Sequence, residues 1–288
     1  MFENIIKNVH NRHPLIHCIT NYVSINDCAN IVLACGGAPI MAEDINEVSQ
    51  ITSICQGLDI NIGMLNDNKL SSMLKAGATA NELGIPVILD PVGAGSSDYR
   101  IKAVQNLMSN VQFSVIRGNV SEIKAIAAKQ GIHNIAAGVH ETMQKDKSAM
   151  GVEAGIADKI TDDNIKEMAD FIKLSQKTGA VIAVTGRIDM VADENRVYAI
   201  RNGHKMMSLV TGAGCQLSAL TSAYVAADKE HILESVCAAV SVMGISGELA
   251  YRRMAEVDGN ASYRNYIIDA VYNMTDKTLK ELGRIERI

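Results

Sequence analysis

The sequence predicts an α/β fold: one domain in which a mostly parallel central sheet carries helices on both faces. Three observations predict it. Short, unbroken apolar runs rich in β-branched residues recur along the chain, which suits strands buried on both faces of a parallel sheet. Stretches with helical apolar spacing lie between them, the alternation expected of βα units. No linker, internal repeat or low-complexity segment divides the 288 residues, and α/β folds of this length commonly form a single domain.

Taken in order, residues 58–62 (LDINI), 86–89 (PVIL), 113–116 (FSVI) and 180–184 (AVIAV) are the apolar runs, each bounded by turn signals. Residues 67–83 place Leu70, Met73, Leu74 and Gly77 on one helical stripe. Residues 162–178 place Ile165, Met168, Ala169 and Ile172 on another, with Asp162 and Asp163 in the first turn and Gly179 past the end, the charge and glycine placement of a capped helix. Residues 189–192 and 196–200 flank Asp193-Glu194-Asn195 and predict a strand–turn–strand at an antiparallel edge. The last hundred residues read as mostly helical, with a stripe at Leu233, Val236, Ala239, Val240 and Met243.

Composition narrows the function. The formal net charge is −5, with no Trp and 3 Phe, which argues against a nucleic-acid surface, since that needs a basic stripe. Residues 1–17 lack the basic start and apolar core of a signal peptide. No apolar run approaches the roughly 20 residues that cross a bilayer. The expectation is a cytoplasmic protein with no membrane partner. Six cysteines (Cys18, Cys28, Cys35, Cys55, Cys215, Cys237) contain no C-x-x-C pair, a pattern of reduced thiols and not of a disulfide framework or zinc site. Most read as core residues; Cys215 stands apart because of its neighbours.

Those neighbours are residues 210–215 (VTGAGC), followed by a stretch of helix spacing with Leu217, Leu220, Ala223 and Tyr224 on one face. Glycine permits φ > 0 and close approach of peptide N–H groups to a ligand, and the start of the following helix is an anion site. Gly212, Ala213 and Gly214 are therefore candidates for an anion hole. Cys215 falls where a helix N-terminus lowers a thiol pKa. Taken alone, the motif reads more readily as a tight turn before a packed helix with a buried cysteine than as a site.

Three predicted strand ends add polar groups. Asp90-Pro91-Val92-Gly93-Ala94-Gly95 follows PVIL, Arg117-Gly118-Asn119-Val120-Ser121-Glu122 follows FSVI, and Thr185-Gly186 follows AVIAV. Each has a structural reading too: Asp-Pro starts turns, Asn119 with Glu122 has capping-box spacing, and Thr-Gly suits a turn. Their convergence favours a site, because doubly wound folds bind ligands at the carboxyl ends of their strands.

At this point the chain resembles a known family. Asn119 and Glu122 match the N-x-x-E motif of ribokinase-like kinases, and residues 212–215 match their G-x-G-D position with Cys replacing Asp. Together with residues 14–30 (PLIHCITNYVSINDCAN), 36–48 (GGAPIMAEDINEV), 60–65 (INIGML), 90–95 (DPVGAG) and 117–123 (RGNVSEI), the chain is similar to hydroxyethylthiazole kinases, which salvage a thiazole alcohol for thiamine synthesis. The resemblance extends to about Met243. It implies a ribokinase-like sandwich, ATP and the thiazole alcohol as substrates, Mg²⁺ organised by Asp90 and Glu122, ATP contacts from Arg117 and Thr185, thiazole contacts from Met41 and Gly212 with Asn21 in the same substrate-side motif, and Cys215 accepting or orienting the hydroxyl proton. It also implies a homotrimer with sites near subunit interfaces. Two departures stand out: Ala213 replaces a Thr usual in the family, and residues 131–148, containing His133 and His140, read as a surface insertion before residues 150–154 (MGVEA) resume the pattern. A cofactor-hydrate dehydratase of the same fold and a non-catalytic nucleotide-binding regulator are the rival readings. The dehydratase does not explain PLIHCITN or the cysteine in place of aspartate, and intact Asp90, Glu122 and Cys215 argue against the regulator.

Overall fold

The computed structural model describes residues 4–132 and 171–288. The segment expected as an insertion, apart from its first two residues, lies outside the described residues, as do His133, His140, residues 150–154 and most of the helix expected over 162–178. Its last turns are the helix Phe171–Thr178.

Among the described residues, nine strands make one sheet: β1 (Leu15–Ile19), β2 (Ala38–Ile40), β3 (Gly57–Asn61), β4 (Val87–Asp90), β5 (Val115–Asn119), β6 (Val181–Thr185), β7 (Asp189–Ala192), β8 (Val197–Ile200) and β9 (Ile285–Arg287). Their order is β2-β1-β3-β4-β5-β6-β7-β8-β9. Neighbours from β2 to β6 pair in parallel, and β6 to β9 pair antiparallel. The four apolar runs are strands; the first lies one residue nearer the N-terminus than its run and the other three lie one to three residues nearer the C-terminus, so Asp90, Arg117 and Thr185 belong to strand ends and not to the loops after them. The 189–200 hairpin forms as expected, its turn held by Asp193 Oδ1 accepting from Asn195 N at 2.8 Å and Arg196 N at 2.6 Å. It is not the sheet edge, however. The C-terminal β9 covers it, a strand that three residues of mixed polarity do not announce.

Alternation of side chains sorts the sheet into two faces. Ile16, Cys18, Ile88, Val115 and Ala183 face one core with the helices Ile5–Arg12, Ile25–Ala34, Ala213–Ala227 and Ile232–Arg253. Leu58, Ile60, Leu89, Ile116 and Ile182 face another, under Val48–Ile54, Asp67–Glu82, Asp98–Asn110, Val120–Lys129 and Phe171–Thr178. The helix after VTGAGC is buried all round, from Cys215 to Ala227, which its run of small residues permits and a one-faced stripe would not predict. Contrary to the expectation that no segment approaches a membrane span, the helix Ile232–Arg253, at 22 residues, is long and apolar enough to cross one by length and composition; 78% of its most apolar window is buried here, so that apolarity lines the core.

Candidate active site

Each parallel strand delivers one polar group to the same edge of the sheet. The order of strands sets the order of groups: Met41 after β2, Asn21 after β1, Asn61 on β3, Asp90 on β4, Arg117 on β5 and Thr185 on β6. The edge from β2 to β6 covers five strand spacings, roughly 24 Å at about 4.8 Å each.

Hydrogen bonds join most of these groups. Asn21 Nδ2 donates to Cys215 Sγ at 3.2 Å and to Asn61 Oδ1 at 3.1 Å. Asn61 Nδ2 donates to Asp90 Oδ2 at 2.8 Å, and Ser218 Oγ donates to the same oxygen at 2.9 Å. Arg117 Nη1 lies 3.7 Å from Asp90 Oδ1, and Arg117 Nη2 donates to Thr185 Oγ1 at 2.8 Å. A continuous polar chain thus runs from the candidate acceptor side to the candidate nucleotide side. Met41 is set apart at the end of β2, partly buried against the core.

The helix Ala213–Ala227 begins at Gly212, whose φ of 78° only glycine adopts readily. Its first intrahelical bond is Gln216 N to Gly212 O at 2.9 Å, which leaves the amides of Gly214 and Cys215 ahead of the helical ladder. A Cβ on Gly212 would stand 2.6 Å from Ser24 Cβ, and one on Gly214 would stand 2.8 Å from Arg117 Nη1. The second glycine therefore makes room for the guanidinium as well as freeing an amide, and a cation sits beside the helix start.

Glu122 serves structure in a defined way. It closes a capping box with Asn119 at the start of Val120–Lys129: Asn119 N donates to Oε2 at 2.8 Å. Gly93 N donates to Oε1 at 2.8 Å, which ties the DPVGAG turn to the same carboxylate. Gly93 itself has φ 68°. The capping reading of the sequence is thus realised, and the same carboxylate still lies near Asp90 and Arg117, whose charges it feels.

Electrostatics mark where ligands belong. Burial, then the Asp90 charge, push the Glu122 carboxyl up to about 7. Burial raises Asp90 against the opposing pull of Arg117, Ser218 and Asn61. Asp90 Oδ1 and Arg117 Nε are buried with no hydrogen-bond partner, one an acceptor suited to a cation or its water, the other a donor suited to an anion. Asp59, one pleat repeat behind Asn61 on the same face, is fully buried with both oxygens unpartnered; burial and then the Asp90 charge raise its carboxyl well above the usual carboxylate range. No three His, Cys, Asp or Glu side chains among the described residues form a ready-made metal cage.

Cys215 departs from its expected chemistry. All six cysteines are free and buried, and Cys215 is 8% exposed. Burial first, then the charge of Asp90, push its thiol up to about 11, outweighing hydrogen bonds from Ser24, Asn61 and Asn21. The helix start does not yield a low-pKa thiolate here, because desolvation penalises the charged form more strongly.

Asn61 and Ser218 were not anticipated as polar members of this chain. Asn61 had a signal: a polar residue two after Asp59 in the LDINI run, on the same side of the pleat. Ser218 had one as well, lying three residues after Cys215 and so on a neighbouring part of the helix surface.

Comparison with known proteins agrees with this geometry. Residues 6–277 match the model of the hydroxyethylthiazole kinase family. A hydroxyethylthiazole kinase of Clostridium acetobutylicum is 52% identical over 287 residues, covering 99% of both chains, and one from Ruminiclostridium cellulolyticum is 44% identical, covering 99% of this chain and 96% of that one. The structure of a hydroxyethylthiazole kinase protein from Pyrococcus horikoshii superposes with a TM-score of 0.82 at 30% identity, covering 99% of this chain and 98% of that one. With its ribokinase-like α/β sandwich, its polar strand-end chain and this likeness over nearly its full length, the chain belongs to the hydroxyethylthiazole kinase family.

Proposed function

We propose that this chain transfers the γ-phosphoryl group of ATP to the primary alcohol of 4-methyl-5-(2-hydroxyethyl)thiazole, giving the phosphate ester used in thiamine diphosphate synthesis and salvage. The observation that carries the reading is the polar chain from Cys215 through Asn21, Asn61 and Asp90 to Arg117 and Thr185. It orders an acceptor side, a carboxylate centre and a nucleotide side along one sheet edge. A single chain of groups so ordered suits in-line transfer between two bound substrates.

Arg117 and Thr185 bind the nucleotide phosphates, with the unpartnered Arg117 Nε as a donor in reserve. Asp90 and Glu122 would hold Mg²⁺, which when bound neutralises charge shared between the phosphates. The amides of residues 212–214 face the charge that develops on the transferred group. Asn21, Met41 and Gly212 hold the thiazole. Cys215, a thiol at neutral pH, orients the acceptor hydroxyl, whose proton passes to an oxygen of the transferred phosphoryl group as the new O–P bond forms and the bond to ADP breaks. No strong base is needed, because phosphoryl transfer passes through a loose transition state in which positioning and electrostatics dominate. The chain acts as one kinase domain, works in the cytoplasm, and assembles as a homotrimer.

The test is ADP release from Mg-ATP with and without the thiazole alcohol, with mass spectrometry of the product. Acceptor-dependent ADP release with a phosphate added to the alcohol is expected. Release that depends instead on hydrated nicotinamide cofactor, or no release, would refute the reading in favour of a dehydratase or a regulator.

A further inference from the structure

Lys69 sits where neither helix chemistry nor burial favours a lysine. It lies in the first turn of the helix Asp67–Glu82, its backbone N donating to the N-cap Asn66 Oδ1 at 2.9 Å, and a cation there opposes the positive end of the helix dipole. Its side chain is 4% exposed, and a buried ammonium is costly unless paired. Three groups pair it. Nζ donates to Thr20 O, makes an ion pair with Glu43 Oε2 at 2.8 Å, and lies 4.7 Å from the Tyr22 ring centroid. The Tyr22 hydroxyl donates to Glu43 and closes the cluster.

Those partners come from two loops, each carrying an acceptor-side residue. Thr20 and Tyr22 flank Asn21, and Glu43 lies two residues beyond Met41. The loops leave the neighbouring parallel strands β1 and β2, whose register ends at His17 with Ile40, so ladder pairing does not join them further out. His17 Nε2 hydrogen-bonds Ala42 O at 2.8 Å from below, and Lys69 joins the two loops from the side of its helix. A residue that breaks a local rule and is compensated only by tertiary partners points to a position held for function.

We propose that Lys69 is a positioning residue of the acceptor subsite, clasping the loop of residues 20–23 to that of residues 41–43 and so setting the separation of Asn21 and Met41. The proposal rests on the thiazole phosphorylation proposed above. The nucleotide-side residues Arg117 and Thr185 stand three and four strands away from β1, so the clasp acts on acceptor binding and not on ATP binding.

The experiment is two-substrate kinetics on Lys69→Met, Lys69→Arg and Glu43→Gln in the full chain, with thermal denaturation alongside. Lys69→Met should raise the thiazole KM by about tenfold or more and leave the ATP KM within about twofold. Lys69→Arg should recover much of the difference, since it keeps the cation, and Glu43→Gln should shift the thiazole KM in the same direction by less. If Lys69→Met does not fold, Lys69→Arg and Glu43→Gln still give the KM split. An unchanged thiazole KM across the folded variants, or equal rises in both KM values, would overturn the clasp. Wild-type protein that phosphorylates no thiazole alcohol would overturn the functional reading as well, so the two failures are distinct.

Discussion

Gly212 and Gly214 lie two residues apart in one turn, yet alanine should act oppositely at them. At Gly212 the backbone has φ 78°, a conformation that costs an L-residue roughly 1–2 kcal/mol. The new Cβ would stand 2.6 Å from Ser24 Cβ, where ordinary carbon contacts begin at about 3.5 Å. Ser24 is the N-cap of the helix Ile25–Ala34, so relief requires the turn or that helix end to move by about 1 Å, and overpacking of this kind adds about 1–3 kcal/mol. The total of about 2–5 kcal/mol corresponds to a Tm fall of roughly 3–8 °C for a chain of this length. A shift of about 1 Å in the amides proposed to face the transferred phosphate should lower kcat by on the order of a hundredfold. Gly214 is not among the glycines with positive φ. Its Cβ would meet the Arg117 guanidinium at 2.8 and 3.1 Å, the movable end of a side chain. Gly214→Ala should therefore leave Tm within about 2 °C, helped by alanine's helix preference of up to about 1 kcal/mol, while displacing Arg117 from Thr185 and raising the ATP KM. Differential scanning calorimetry and two-substrate kinetics read both. Gly212→Ala with wild-type Tm and kcat, or Gly214→Ala with reduced Tm and unchanged ATP KM, would refute the reasoning.

Arg117→Ala should raise the ATP KM far more than the thiazole KM, by the roughly 1.5–3 kcal/mol of a charge-assisted hydrogen bond; equal changes in both would make Arg117 a structural residue. With its thiol pushed up to about 11, Cys215 should alkylate slowly near neutrality, about tenfold faster per pH unit toward that value, and more slowly with Mg-ATP and thiazole alcohol present. Peptide mass spectrometry follows the Cys215 adduct, and rapid labelling at pH 7 would refute the assignment. Cys215→Ala should lower kcat with little change in Tm, and unchanged turnover would remove its role in orienting the acceptor hydroxyl. Glu122 has a folded-state pKa of about 7 against an ordinary 4.5, so the folded protein retains a proton that the unfolded chain releases. Its contribution to stability is full below about 4.5 and is lost as pH rises through 7. Glu122→Gln keeps the capping pattern and should flatten the fall in Tm between pH 5 and 8 without nucleotide; an undiminished slope would refute this.

Local chemistry determined much of this protein. Buried parallel strands must be apolar on both faces, so LDINI, PVIL, FSVI and AVIAV announced β3 to β6, with errors of one to three residues at their ends. Because strand ends in such a sheet collect ligands, the same reading found Asp90, Arg117, Glu122 and Thr185, and glycine's freedom at positive φ marked Gly212. The strands β1, β2 and β9 were not announced, since short runs interrupted by His17, Pro39 or Glu286 carry no clear period. Tertiary structure alone decided the rest. Asn61 joins Asn21 to Asp90 only because β1, β3 and β4 are neighbours in space, an adjacency that no spacing along the chain encodes. Cys215 shared the sequence of an activated thiol, but its pKa depends on how much water the folded chain leaves around it, and burial beside Asp90 raised it. Lys69 is buried in the first turn of its helix because its partners Thr20, Tyr22 and Glu43 are brought to it by strands distant in sequence. Periodicity and backbone preference act over a few residues and can be read from them; desolvation and pairing act across the fold and exist only once it has formed.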